Sequence, residues 1–354
     1  MSNTLSYHGR RHRETTQGRI PVLVVVVLIL MAFPAGHVAA QILPTFGGDR
    51  AGTSGFQFLK IPVDARSAAM GETVVANASD GSALFWNPAL GAQTRTLQIG
   101  VHHTSYFTDI GIEFFCATYR PSGSNITLGA SLQTLDAGDM EVTTEFQPFG
   151  TGETFGFRDL AAGLTFAQNL TDLFSYGVTA KYVRESTVGL ATTAVVFDIG
   201  IFYMIGTTGA QMGVAVRNFG FDSSPSGQID RLVIGGGGVV TEENFDSMTP
   251  PTTFLLGFTY EMLRQNESNR LIIAAQLNNP NDNIENWNLG LEYVWNDALM
   301  LRAGYRFGIE EYEVPSFGAG INIPYAGPDL RFDYGFSRLS RLGTVHRVGV
   351  NISL

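Results

Sequence analysis

Seven charged residues offer most of the chemistry in this chain of 354 residues: Asp198, Arg217, Glu292, Arg302, Arg306, Arg331 and Asp333. Each stands in a short stretch where apolar and polar residues alternate, and each takes the polar parity. Asp198, for example, lies between Phe197 and Ile199. In an extended chain successive side chains point to opposite faces, so these groups project away from the apolar side. Charges gathered inside a narrow structure must pair or meet water. They could form an ion-pair network that fills an interior, or they could line a path for a solute. The structural use is the simpler one.

Catalytic patterns are missing. The sequence contains no G-x-S-x-G, no H-E-x-x-H and no glycine loop ending in G-K-[ST]. Beyond residue 41 the histidines are His102, His103 and His346. His102 and His103 are neighbours on one extended stretch, so they face opposite ways and cannot chelate one ion together. No serine or threonine can be paired with a positioned histidine, as a hydrolase needs. Cys116 is the sole cysteine, which excludes an internal disulfide and a cage built of cysteines. The glycine run Gly235–Gly238 lacks a following helix with lysine and reads as a flexible loop. Asn278–Asn286, with Asp282 and Glu285, is rich in oxygen ligands but matches no fixed calcium loop, and a solvated turn is the plainer reading. The expectation is a non-enzymatic protein with no cofactor and no metal.

The elements that must hold the seven charges are strands. Alternation marks fourteen of them: 96–106, 110–120, 124–135, 159–168, 174–186, 194–204, 211–219, 252–262, 270–278, 286–295, 298–307, 315–323, 329–337 and 344–354. In the last, Val348, Val350, Ile352 and Leu354 oppose Arg347, Gly349, Asn351 and Ser353. Phe254, Leu256, Phe258 and Tyr260 likewise oppose Leu255, Gly257, Thr259 and Glu261. The 110–120 strand is ambiguous, because Phe114-Phe115 lets either face be apolar. About 9–11 residues is the length of a strand tilted across a bilayer, and an even count suits a bacterial membrane barrel. If the first strand rises from the periplasm, the long connections 136–158 and 220–251 both fall outside and the short ones inside, as barrels arrange them. Tyr106, Tyr182, Tyr260, Tyr293, Trp295 and Tyr305 near strand ends suit interfacial girdles.

Composition agrees. Only 15% of residues are charged, against about 25% in soluble domains, while there are 41 Gly and 25 Phe. Residues 1–40 read as a secretory signal peptide, with Arg10, Arg11, Arg13 and Arg19 before the apolar Val22–Phe33 and a small-residue cleavage site at Val38-Ala39-Ala40. Removing them takes away four arginines and one glutamate and lowers the net charge from −10 to −13. So acidic a chain has no nucleic acid among its expected partners. The fold expected is all-β, a transmembrane antiparallel β-barrel of about 14 strands over 96–354, preceded by a short helical hatch or plug segment at 41–95.

That segment carries the most specific motifs. Asp64-Ala65-Arg66-Ser67-Ala68-Ala69-Met70-Gly71-Glu72, then Asp80-Gly81-Ser82-Ala83 and Trp86-Asn87-Pro88-Ala89, resemble the opening of the PorV/PorQ family, outer-membrane proteins within the FadL-like barrel group. Arg217-Asn218-Phe219-Gly220, Gly290-Leu291-Glu292-Tyr293, Leu301-Arg302-Ala303-Gly304-Tyr305, Asp333-Tyr334 and His346-Arg347 extend the resemblance along the chain. One departure is the terminus, Leu354 where such barrels commonly end on an aromatic residue. The resemblance implies a fourteen-stranded barrel in the outer membrane, in contact with its lipid and tied to type IX secretion. Secretion-machinery components and exported proteins would then be the partners. Arg66, Trp86 and Asn87 join the seven charges as candidates for holding the hatch, and Met140, Phe146, Phe149, Phe245 and Met248 in the two long loops are candidates for partner binding. Two other roles stay open: a FadL-like passive channel for a hydrophobic or amphiphilic small molecule, and a plugged anchor.

Overall fold

The computed structural model describes residues 51–354 apart from 78, 79, 95, 109, 234–237, 264–267 and 325–327. The signal peptide with its cleavage site and three of the four glycines of Gly235–Gly238 lie outside the described residues; Gly238 opens a strand.

Residues from Leu97 onward form strands. They are β1 (Leu97–Ser105), β2 (Gly111–Tyr119), β3 (Ile126–Glu141), β4 (Thr154–Asn169), β5 (Phe174–Thr187), β6 (Leu190–Ile205) and β7 (Ala210–Gly220). Then come the short β8 (Ser226–Gly227), β9 (Ile229–Val233) and β10 (Gly238–Glu242), followed by β11 (Thr253–Met262), β12 (Asn269–Pro280), β13 (Asn286–Trp295), β14 (Leu299–Phe307), β15 (Ser316–Pro324), β16 (Asp329–Leu339) and β17 (Gly343–Ser353). Each long strand pairs antiparallel with its neighbours, β7 passes directly to β11, and β17 pairs with β1 through Val350 opposite Val101 and Ile352 opposite Ile99. The ring is closed and holds fourteen strands. Closure leaves no unpaired edge, the condition for strands to exist in lipid. Among the described residues no helix is long and apolar enough to cross a membrane.

The alternation is visible in burial. Along β17, Val345, Arg347, Gly349 and Asn351 are buried inward while Val348 and Ile352 face out. Phe114 points inward and Phe115 outward, which resolves the ambiguous strand. Tyr106 departs from the expected girdle, because it packs against an apolar cluster around Phe56, Phe58 and Leu59 inside the outer mouth. Tyr182, Tyr260 and Trp295 do face outward.

The barrel is uneven in height. β1, β2 and β14 have 9 residues, whereas β3, β4 and β6 have 16. At roughly 3.3 Å per residue and a tilt of about 45°, the first set rises about 21 Å and the second about 37 Å. The excess lies at the end that carries the β3–β4 connection, since Gly111 at the start of β2 already pairs with Asp136 and β3 continues beyond it. Much of the expected 136–158 loop is therefore strand, with a bulge between Asp136 and Asp139.

The lumen is filled by the hatch. A 3-10 turn spans Gln57–Lys60, followed by α1 (Ala65–Ala69), α2 (Ala83–Trp86) and a 3-10 helix at Pro88–Gln93. Asp64 starts α1 by accepting from Ser67 N at 2.8 Å, and Gly71, with φ of 63°, stops it. Asn87 starts the last helix, its Oδ1 accepting from Ala89 N at 3.0 Å. Nearly every hatch side chain is buried. Inward glycines let the hatch backbone lie against the wall. A Cβ on Gly304 would collide with Met70 and Gly71, and one on Gly213 with the Val75 carbonyl.

Candidate functional site: the gripped hatch

Six charged side chains form a line across the lumen that begins and ends on the hatch. Arg66 of α1 donates to Glu292 of β13 at two points, Nε to Oε2 at 3.0 Å and Nη2 to Oε1 at 2.9 Å. Arg302 of β14 reaches the same carboxylate at 2.5 Å and gives its Nη1 to Asp333 of β16 at 2.6 Å. Arg331 donates to the other Asp333 oxygen at 2.7 Å and pairs with Asp80, back on the hatch. Three arginines face three carboxylates, so the line is neutral. Removing one member of such a buried set is costly because it strands its partner. A second tie joins Arg306 of β14 to Glu72 at 2.5 Å. At the outer mouth Lys60 and Gln57 hold Asp282 at 2.9 and 2.7 Å.

The seven wall charges expected from the sequence all face the lumen, but they do not form one network. Among the described residues Arg217 has no carboxylate in contact. Its guanidinium lies 3.9 Å from the centre of the Phe85 ring and 5.2 Å from that of Trp86, and it donates to the Leu59 carbonyl at 3.2 Å. Asp198 pairs with Lys181 at 2.5 Å and accepts from Asn218 N at 2.7 Å. Asn218 has φ of 55° and marks a register shift between β6 and β7, so this pair holds a bulge and not the hatch. Trp86 Nε1 donates to Asp64 at 3.0 Å, and Asn87 Nδ2 donates to the carbonyls of Val75 and Ile201, which ties hatch to wall.

Several members escaped the sequence reading. Asp64, Glu72 and Asp80 are the hatch carboxylates, and a signal for them existed: inward arginines outnumber inward acids in the expected set, so balancing acids had to come from elsewhere. Arg347, fully buried, donates to the Pro62 carbonyl at 3.1 Å and to Ser337 at 2.9 Å. The oxygen-rich turn at 278–286 is no solvated turn at Asp282, which is buried and committed to Lys60 and Gln57. A cavity of about 10 Å³ lined by Asp64, Arg66, Asn77, Asp80 and Trp86 has room for about one water. Among the described residues no cluster of three His, Cys, Asp or Glu is placed to hold a metal.

Of the loop candidates, Phe146 and Phe149 are more than nine-tenths exposed at the tip of the β3–β4 hairpin. Met140, Phe245 and Met248 are half-buried, and Met248 forms a bridge with Ser223.

The family described as Type IX secretion system protein PorV matches residues 47–206, which take in the described hatch and β1 to β6. Over that stretch the chain is PorV-like. The PorV-like stretch contains Arg66, Glu72, Asp80 and the Trp86-Asn87-Pro88-Ala89 motif, so the hatch half of the grip lies within the match. Three solved structures share the fold. The toluene transporter TodX of Pseudomonas putida is 15% identical, with 82% of this chain and 96% of that one covered at a TM-score of 0.56. The toluene transporter TbuX of Ralstonia pickettii is 14% identical, with 85% and 98% covered at 0.55. The monoaromatic hydrocarbon channel CymD is 14% identical, with 82% and 96% covered at 0.53. At such identities the likeness is one of fold alone. Comparison with curated proteins gives no match.

Proposed function

We propose that this PorV-like barrel works at the outer membrane as a plugged platform that handles or anchors exported proteins at the cell surface, together with type IX secretion machinery. The observation that carries the reading is the line from Arg66 to Asp80, which ties the hatch to three wall strands at both of its ends. A hatch so held makes a poor gate, which leaves the outer surface as the working part. That surface offers the β3–β4 hairpin, whose tip places Phe146 and Phe149 among Glu141, Glu145 and Glu153. Two exposed phenylalanines three residues apart offer a partner an apolar foothold among acidic neighbours. Gene deletion in the native host tests the reading. Exported proteins should accumulate in the periplasm, and undisturbed secretion would refute it.

A second reading, a passive channel for hydrophobic or amphiphilic small molecules, draws support from the register shift at Asn218. A bulge interrupts the ladder between β6 and β7 and offers a place for a side opening. Uptake of a labelled fatty acid or an aromatic hydrocarbon by vesicles holding the purified barrel separates the two. Uptake above that of protein-free vesicles would favour the channel.

A further inference from the structure

We propose that His102, Cys116 and Asn351 form a buried site for one thiophilic metal cation, of the zinc or copper(I) class, at the seam where the barrel closes. The inference is independent of the secretion reading. A Cβ built on Gly100 of β1 would lie 2.7 Å from Asn351 Oδ1, 2.7 Å from Cys116 Sγ and 2.9 Å from His102 Nε2. Gly100 pairs with Asn351 of β17 on one side and with Cys116 of β2 on the other, so three adjacent strands bring nitrogen, sulfur and oxygen around one point beside the Gly100 Cα.

The three side chains are 2–3% exposed. Neither ring nitrogen of His102 has a hydrogen-bond partner, and neither does Asn351 Oδ1. A buried polar atom left unpartnered costs about 1–3 kcal/mol, so such atoms converging on one space call for an occupant. Asn351 is oriented for the task, because its Nδ2 donates to Asp333 at 3.4 Å and turns Oδ1 toward the gap. The thiol makes only a long contact, 3.8 Å, to the Gly100 carbonyl. On the hatch side the site is closed by Gly81, whose Cβ would stand 3.1 Å from the sulfur.

The donor set selects the ligand. Imidazole and thiolate suit zinc and copper(I), while calcium and magnesium want oxygen throughout. Zinc bonds of about 2.0–2.3 Å place an ion on the lumen side of the Gly100 backbone, where any other residue would put a side chain. Cys116 binds as thiolate, so its proton leaves to solvent and one proton is released for each ion bound. A bound ion would join β1, β2 and β17 by side chains, in addition to the backbone ladder that pairs the two ends of the barrel.

The test refolds the full mature chain into detergent with zinc, or with copper(I) under reducing conditions, and measures metal retained after dialysis. Magnesium serves as the control ion. About one zinc or copper per barrel is expected, with none of the magnesium. Cys116→Ser and His102→Ala should each lower affinity at least tenfold. Gly100→Ala, which removes no donor, should do the same by filling the gap. His103→Ala, on the outward face, should bind as the parent does. Folding of each variant is checked by the heat-dependent gel shift of a closed barrel. Cobalt(II) gives an independent readout, as a sulfur-to-metal absorption band that Cys116→Ser abolishes. The proposal is overturned by a parent barrel that retains no metal, the result expected if only water occupies the gap. Retention that survives loss of both Cys116 and His102 would overturn it equally.

Discussion

Arg66 and Glu292 meet at two points, 2.9 and 3.0 Å apart, although 226 residues separate them in sequence. The contact joins the hatch to the wall with both side chains buried, and the same carboxylate holds Arg302. Replacing Glu292 with Gln should leave two guanidiniums short of a counter-charge and destabilise the barrel by about 3–5 kcal/mol. A shift in the urea midpoint, followed by tryptophan fluorescence in lipid vesicles, measures it. An unshifted midpoint would show that the line contributes nothing.

Arg66→Met should act on the hatch more than on the wall. The strands keep their ladder, so the barrel should still show its heat-dependent gel mobility. The N-terminal segment should become at least tenfold more sensitive to protease added inside the lumen-facing compartment. Equal sensitivity in parent and variant would place the grip elsewhere.

Gly304→Val tests the close approach of hatch and wall. Its side chain would have to displace the backbone at Met70 and Gly71, and overpacking of this kind costs about 1–3 kcal/mol. With the hatch pushed aside, planar bilayers should record ion conductance that the parent barrel lacks. A silent variant of parental stability would contradict the packing described.

Phe146→Ser combined with Phe149→Ser should leave stability within about 0.5 kcal/mol of the parent, since both rings are exposed. Under the platform reading the same pair should impair surface delivery of exported proteins in the native host. Normal delivery would remove the hairpin tip from the binding surface.

Closure of the ring can be tested by chemistry. Cysteines at Ile99 and Ile352, outward-facing partners across β1 and β17, should be bridged by a short bis-maleimide in a Cys116→Ser background. Failure to bridge would mean that the two ends of the sheet do not meet.

Much of this was legible from residues alone, for a physical reason. Inside the bilayer lipid lies on one side and the filled lumen on the other, so every strand must alternate, and boundaries such as 286–295 for β13 coincide with the structure. Above the bilayer both faces meet water and the constraint lapses. That is why β3 runs to Glu141 and β4 starts at Thr154 through a stretch that reads as loop. The inward direction of Phe114 is seen in its contacts with Phe85 of the hatch, at 5.9 Å between ring centres, and with His102 of the wall, at 6.0 Å, neither of which a local period encodes. For the site, alternation identified the wall charges but not their partners. Pairing between Arg331 and Asp80 depends on how the hatch threads the lumen, which no local period encodes.

The unequal strand heights give the molecule a bearing within the plane of the membrane. From outside it is a stepped rim, high over β3 to β6 and low over β1, β2 and β14, so rotation about the membrane normal changes what a visitor meets. A macromolecule arriving at the low edge could overhang the mouth and lean on the parapet opposite, whereas one arriving behind the parapet would find only its outer flank. Neighbours in the same membrane would therefore meet a different rim according to the side from which they approach.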